Sequence, residues 1–253
     1  MEELKSLFDS YSRQARLFPA LLTVLAPLVT ALAWFPELLT SHIGSALLTV
    51  ASSCGLLYAL SSVARSRGKT VERRLLAQWG AWPTTYLLRH SSRLDPHTRG
   101  RYHVYFSTNV PGLTLPTPQA EARDPRAADL IYDSAIKWLK EKARKNSPLV
   151  DKENAQYGFR RNMRGMKAIA LSGVIAALAA SLLAVGLNVA QTADLASAQQ
   201  VFVALRKAGN PAIWAAIAFN IVAAIAWFAV VTDDWVRSGG EQYAEAILAT
   251  CDQ

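Results

Sequence analysis

The chain has 253 residues, of which 51% are hydrophobic and 18% charged, and it carries a formal net charge of +8. A soluble protein can share those totals, so their distribution decides the class. The uncharged residues are gathered into long runs and the bases into one segment, and the two cysteines, Cys54 and Cys251, are too few and too far apart for a disulfide framework.

Residues 1–16 read as a short amphipathic helix, with Leu4, Leu7, Phe8 and Tyr11 at helical spacing and charges on the other face. An apolar run follows from Leu17 to Phe35 and a second from Ile43 to Ala64. A third extends from Ala168 to Ala190 and a fourth from Pro211 to Thr232. None contains Asp, Glu, Lys, Arg or His. A bilayer core about 30 Å thick needs roughly 20 apolar residues at 1.5 Å each, so all four are expected to span. The alternative, four buried helices of a soluble core, fits such uncharged runs poorly. Ala31, Leu32 and Ala33 resemble a signal-peptide cleavage site. The leader before them holds three acids and three bases where a basic n-region is required, so no cleavage is expected. Pro27 should kink the first span.

Lys and Arg number 3 in residues 1–16, 21 in 65–167, 2 in 191–210 and 1 in 233–253. Arg65, Arg67 and Lys69 follow the second run, and Arg160, Arg161, Arg164 and Lys167 precede the third. The positive-inside rule then puts both termini and residues 65–167 in the cytoplasm of a cell whose inner membrane the chain crosses several times. Only Arg206 and Lys207 run against it.

The insert between the span pairs has its own pattern. Val71, Leu75, Leu76 and Trp79 continue the second span as a helix, and Pro83 interrupts it. Arg101 to Ser107 is aromatic and β-branched and reads as a strand. Turn signals follow at Pro111, Gly112, Pro116 and Pro118. Asp124 and Pro125 open a helix to about Lys145, with Ala128, Ile131, Tyr132, Ala135 and Leu139 on one face. Ser147 and Pro148 open another that carries Tyr157, Phe159 and Arg160 into the third span. The expected fold is therefore a mainly α membrane protein, with four transmembrane helices in two pairs and a small cytoplasmic α+β insert. Its parts are residues 1–64 (amphipathic helix, spans one and two), 65–167 (basic insert), 168–232 (spans three and four) and 233–253 (an acidic C-terminal helix). The insert is too small to bury much core alone and should pack on helix extensions and on the C-terminal helix. The acidic tail either pairs with the basic helices or is a solvated face.

Gly173, Ala177 and Ser181 form one line of small residues, and Ala176, Ala180 and Ala184 another. Ala212, Ala216, Asn220 and Ala224 form a third. Small residues let membrane helices approach closely. These lines either hold one subunit's helices together or face a second subunit or a lumen. Asn220 is the one amide near the middle of a span and needs a polar partner. Spans without charge argue against proton coupling and voltage sensing but leave a pore open.

No catalytic constellation stands out. His90, His97 and His103 match no metal-ligand spacing, and phosphate loop, nucleophile elbow and paired carboxylates are missing. No enzyme, metal or cofactor is expected. The stretch from Glu153 to Lys167 instead packs aromatics, glycines and bases ahead of a span. Its Tyr157, Phe159, Arg160, Arg161, Arg164 and Lys167 suit either anionic lipid head groups or an anionic, nucleotide-type ligand. Residues 65–167 carry 21 bases against 9 acids.

The layout, together with Tyr157-Gly158-Phe159-Arg160-Arg161-Asn162 before the third span, resembles the four-transmembrane pore-forming effectors of bacterial nucleotide-signalling anti-phage systems (SMODS/SLOG-associated type). The resemblance covers the whole chain in topology. It implies an inner-membrane homo-oligomer that senses a cyclic oligonucleotide from a partner synthase, or another soluble defence protein, and permeabilises the membrane. Nucleic-acid duplex binding is not part of that expectation. Two other readings stay open: a non-enzymatic scaffold that recruits a soluble partner, and a lipid-modifying enzyme using His97 or His103.

Overall fold

The structure, a computed structural model, describes residues 9–40, 55–143, 147–192, 198–208 and 210–252. Every element among the described residues is helical. Helix α1 is Ser10–Trp34, with a π turn at Arg13–Leu17. It begins at Asp9, whose side chain accepts from the Ser12 amide at 2.5 Å. A single turn, α2, follows at Glu37–Thr40. Helix α3 is Leu56–Trp79, and Gly80 closes it in the left-handed region at φ +79°. Then come α4 (Pro83–Leu88), α5 (Pro96–Asn109), α6 (Pro118–Arg123) and α7 (Pro125–Ala143). Each of these four opens on proline, which fits the first turn because its missing amide hydrogen has no partner there anyway. Helix α8, Pro148–Thr192, runs 45 residues without a break. Helices α9 (Ala198–Ala208), α10 (Pro211–Ala229) and α11 (Asp233–Leu248) complete the chain, with a 3-10 turn at Ala249–Asp252.

Three of these helices, α1, α8 and α10, are long and apolar enough to cross a membrane. The expected second span falls largely on residues 43–54, which lie outside the described residues; its last residues belong to α3. The first half of the expected N-terminal amphipathic helix, with Leu4, Leu7 and Phe8, also lies outside them.

The expected strand at Arg101–Ser107 is a correction: those residues are the middle of α5, and no strand exists among the described residues, so the insert is helical rather than α+β. Asp95 accepts from the Thr98 amide at 2.8 Å and Pro96 sits at the first position, which commits the segment to a helix start. Tyr102 and Phe106, four residues apart, then share the buried face. The aromatic run has a helical period that its β-favouring composition obscured.

The chain divides into two units, one of residues 1–68 and 162–232, the other of residues 69–161 and 233–253. In the first, Val174, Ile213, Ile217 and Trp227 are buried, but many large apolar side chains point outward: Ile175, Leu183, Val222 and Phe228 are all more than 60% exposed. Its buried positions include Ser12, Thr23, Thr30, Ser61, Asn162, Ser181 and Asn220. An apolar exterior over buried polar groups suits a bundle solvated by hydrocarbon. The second unit has the ordinary arrangement. Leu87, Leu88, Tyr102, Phe106, Tyr132, Ile136 and Leu139 form one core with Val150 of α8 and with Ala244, Ile247 and Leu248 of α11. The acidic tail does pair with the insert: Asp233 with Arg74 at 2.6 Å, Glu241 with Arg93 at 2.9 Å and Asp252 with Arg101 at 3.1 Å.

Candidate functional site

The basic stretch of α8 occupies about three helical turns, so its side chains leave in several directions. Tyr157 and Arg161, one turn apart, point at α3. The Arg161 guanidinium is buried and donates to the Glu72 carboxylate at 2.7 Å. The Tyr157 hydroxyl donates to the same carboxylate at 3.1 Å, and the guanidinium lies 5.7 Å from the Tyr157 ring. Glu72 is itself 7% exposed and also faces Lys69 at 3.5 Å. This closed set satisfies a buried charge with a buried countercharge, which such burial demands.

Phe159 and Arg160 turn instead to α11. Phe159 meets the Trp235 ring edge-on at 6.0 Å. Arg160 stacks 5.5 Å from the same ring and donates to the Trp235 carbonyl and to Gln242. Gly239 makes room for it, because a Cβ there would stand 2.8 Å from Arg160 Cδ. Gly240 does the same for Tyr157, at 3.3 Å from the ring.

Lys167 is committed differently again. Its Nζ donates to the Phe228 and Val231 carbonyls at 3.0 and 2.9 Å and lies 5.4 Å from the Phe228 ring. A cation is thus fixed on the unsatisfied, partly negative C-terminal end of α10. Arg164 is half-buried on α8. Five of the six predicted residues thus go to three destinations, on α3, α11 and α10.

The predicted helix-packing residues converge on α1. Gly173 packs against Pro27, a Cβ there lying 3.6 Å from the proline ring. Ser181 accepts from the Trp34 indole at 3.1 Å, and Ala177 is buried between these two levels. From α10, Ala216 is buried and Asn220 donates to Thr30 Oγ1 at 2.8 Å. Asn220 Oδ1 has no hydrogen-bond partner although the residue is 1% exposed. The second line of α8 is outward: Ala176 and Ala180 are exposed.

The tightest crossing was invisible in the sequence reading. A Cβ on Gly165 would lie 2.6 Å from the Arg67 carbonyl carbon and from the Gly68 amide, so α3 and α8 touch backbone to backbone. Beside it the fully buried Asn162 amide donates to the Ala15 carbonyl at 2.6 Å. That carbonyl lies within the π turn of α1, where the altered ladder leaves carbonyls for such an outside donor. A glycine on each of two helices, spaced to meet, was the available signal.

In the second unit, an open cleft of about 490 Å³ is lined by Leu76, Gly80, Ala81, Trp82, Arg126, Asp129, Leu130 and Asp133. Asp129 is held by Arg89 at 2.5 Å, and this bond raises the pKa of the arginine. Asp133 accepts from the Thr85 hydroxyl. Leu130 is 71% exposed. Two of the insert's three histidines sit together: His90 and His103 meet edge-on at 5.0 Å, and each ring contacts a backbone carbonyl, of Pro116 and Leu88. Burial pushes the His103 pKa below the ordinary histidine range. His97 is exposed. Among the described residues, no group of His, Cys, Asp and Glu is placed to hold a metal ion. No family model matches the chain, and no curated protein or solved structure is significantly similar to it.

Proposed function

We propose that this chain is a multi-pass inner-membrane effector without enzymatic activity, with four spans, a cytoplasmic helical unit and cytoplasmic termini. The helical unit receives a soluble signal or partner, and the membrane bundle answers by oligomerising or opening. The carrying observation is the uninterrupted course of α3 and α8, each of which contributes residues to both units. A continuous helix is stiff, so a change of packing at Tyr157 or Arg161 alters the helix that also carries Gly165 and Gly173. The outward-facing large apolar side chains of α1, α8 and α10 support placement in lipid.

The resemblance to nucleotide-signalling effectors would make the signal a cyclic oligonucleotide and the setting anti-phage defence. Arg160 and Arg161 already hold internal partners, so such an anion would have to displace Glu72 or Gln242 or dock on other bases. The decisive measurement is dye release from liposomes holding the purified full chain, with cyclic oligonucleotides added singly. Release with one of them supports the effector; silence with all of them and with candidate partner proteins rejects it.

A second reading, a membrane scaffold for a soluble protein, is favoured by the cleft beside Trp82, Leu130 and Arg126. Stable co-purification of one protein, lost in Leu130→Asp and unaccompanied by leakage, would select it.

A further inference from the structure

Helix α9 lies between two of the apolar helices, and its surroundings can be placed with a ruler inside the chain. Lys167 is bonded to the Phe228 and Val231 carbonyls, so it stands level with the C-terminal end of α10. From that level, 20 residues of α8 at 1.5 Å cover about 30 Å, one hydrocarbon thickness, and reach Leu187. Helix α10 has 19 residues and covers about 28 Å, so Pro211 stands at the same opposite boundary. Residues 193–197 join α8 to α9, and 209 and 210 join α9 to Pro211. A chain advances at most about 3.6 Å per residue, so two linking residues hold Ala208 within about 11 Å of Pro211.

The helix so tethered is amphipathic. Phe202 and Leu205, three residues apart on one face, are 68% and 36% exposed. By helical register Gln200 falls on the opposite side and is exposed too. Arg206 and Lys207, the two bases that ran against the charge rule, fall within the last residues of this helix. A Phe with two-thirds of its surface uncovered has no reason to persist in water next to a bilayer boundary.

We infer that α9 is an interfacial anchor lying on the membrane surface opposite to Lys167, with Phe202 and Leu205 embedded at the boundary of head groups and acyl chains. This rests on the multi-pass reading above. Its occupant is lipid rather than a second copy, because the short tether keeps α9 at the end of α10 where the exposed apolar side chains Trp214, Ile221 and Val222 begin.

The test uses the full chain in phosphatidylcholine–phosphatidylglycerol liposomes, with Cys54→Ala and Cys251→Ala and one nitroxide each on Phe202→Cys, Leu205→Cys, Gln200→Cys or Ile175→Cys. Labels at 202 and 205 are expected about 5 to 10 Å below the phosphates, relaxed by oxygen and shielded from a water-soluble nickel chelate. The label at 200 is expected to be open to nickel. If 202 and 205 are as open to nickel as 200 while 175 stays oxygen-rich, the anchor is refuted and the spans stand. Dipolar broadening at 202 that vanishes on dilution with unlabelled chain would put a second copy there and refute the lipid contact. Nickel access at 175 would instead overturn the multi-pass reading on which the anchor depends.

Discussion

The two units differ in what they expose more than in what they bury. One hides Thr30, Ser181, Asn162 and Asn220 and shows Leu183, Val222 and Phe228; the other hides Phe106, Tyr132 and Leu139. Yet both are helical, and two helices serve both. Secondary structure therefore says little about the solvent each unit was built for. In water, hiding apolar area drives packing. In hydrocarbon that drive disappears, and close backbone approach and polar bonds between helices take over.

The sharpest way to break the bundle is thus to separate backbones rather than to remove apolar area. Gly165→Leu forces a side chain into Arg67 and Gly68, and we expect loss of the monodisperse protein on size-exclusion chromatography, whereas the exposed Gly100→Leu leaves it intact. The second unit should fail in the opposite manner. Phe106→Ala empties a fully buried site and should cost about 3 to 5 kcal/mol in denaturant unfolding. Leu183→Ala, on the exposed face of α8, should change stability by less than about 0.5 kcal/mol. Equal effects of the two would show that Leu183 is covered as fully as Phe106. A smaller effect is expected at Asn220→Ala, about 1 kcal/mol by steric-trap unfolding, because the bond to Thr30 is offset by removal of an unpartnered oxygen.

The weakest effect is one of pH. His103 lies among His90, Tyr132, Arg99 and Glu121, and its pKa is lowered from 6.5 first by burial. The unfolded chain therefore binds its proton more readily than the folded one. Stability is full above the ordinary histidine range and declines as pH falls through it. His103→Gln should flatten that decline in melting temperatures taken between pH 7.5 and 5.5, while wild-type values fall.

Much of the fold could be read where the signal was local. Asp124 with Pro125 and Ser147 with Pro148 announce helix starts because capping acts within one turn. The uncharged runs of α1, α8 and α10 announce themselves by length alone. The helix Pro96–Asn109 was misread because Tyr102, Val104, Tyr105 and Phe106 favour strands by composition, while only burial on one face reveals the period. The internal partners of the basic stretch before the third run, Glu72, Trp235, Gln242 and Phe228, were not legible because they are distant in the chain. Gly68 and Gly165 each look like ordinary helix glycines until the crossing brings them together. The apolar run from Val201 to Leu205 is too short to suggest a membrane role without the spans on either side.

The clasp of Lys167 on the end of α10 bears on bilayer thickness. A helix free at both ends adjusts to a thinner or thicker membrane by tilting or shifting, with its flanking residues snorkelling. Here one end of α10 is fastened to its neighbour through two carbonyls. With α8 and α10 taken as spans, a difference in length between them is then taken up at the Pro211 end, so lipid thickness would act on that end more than on the clasped one.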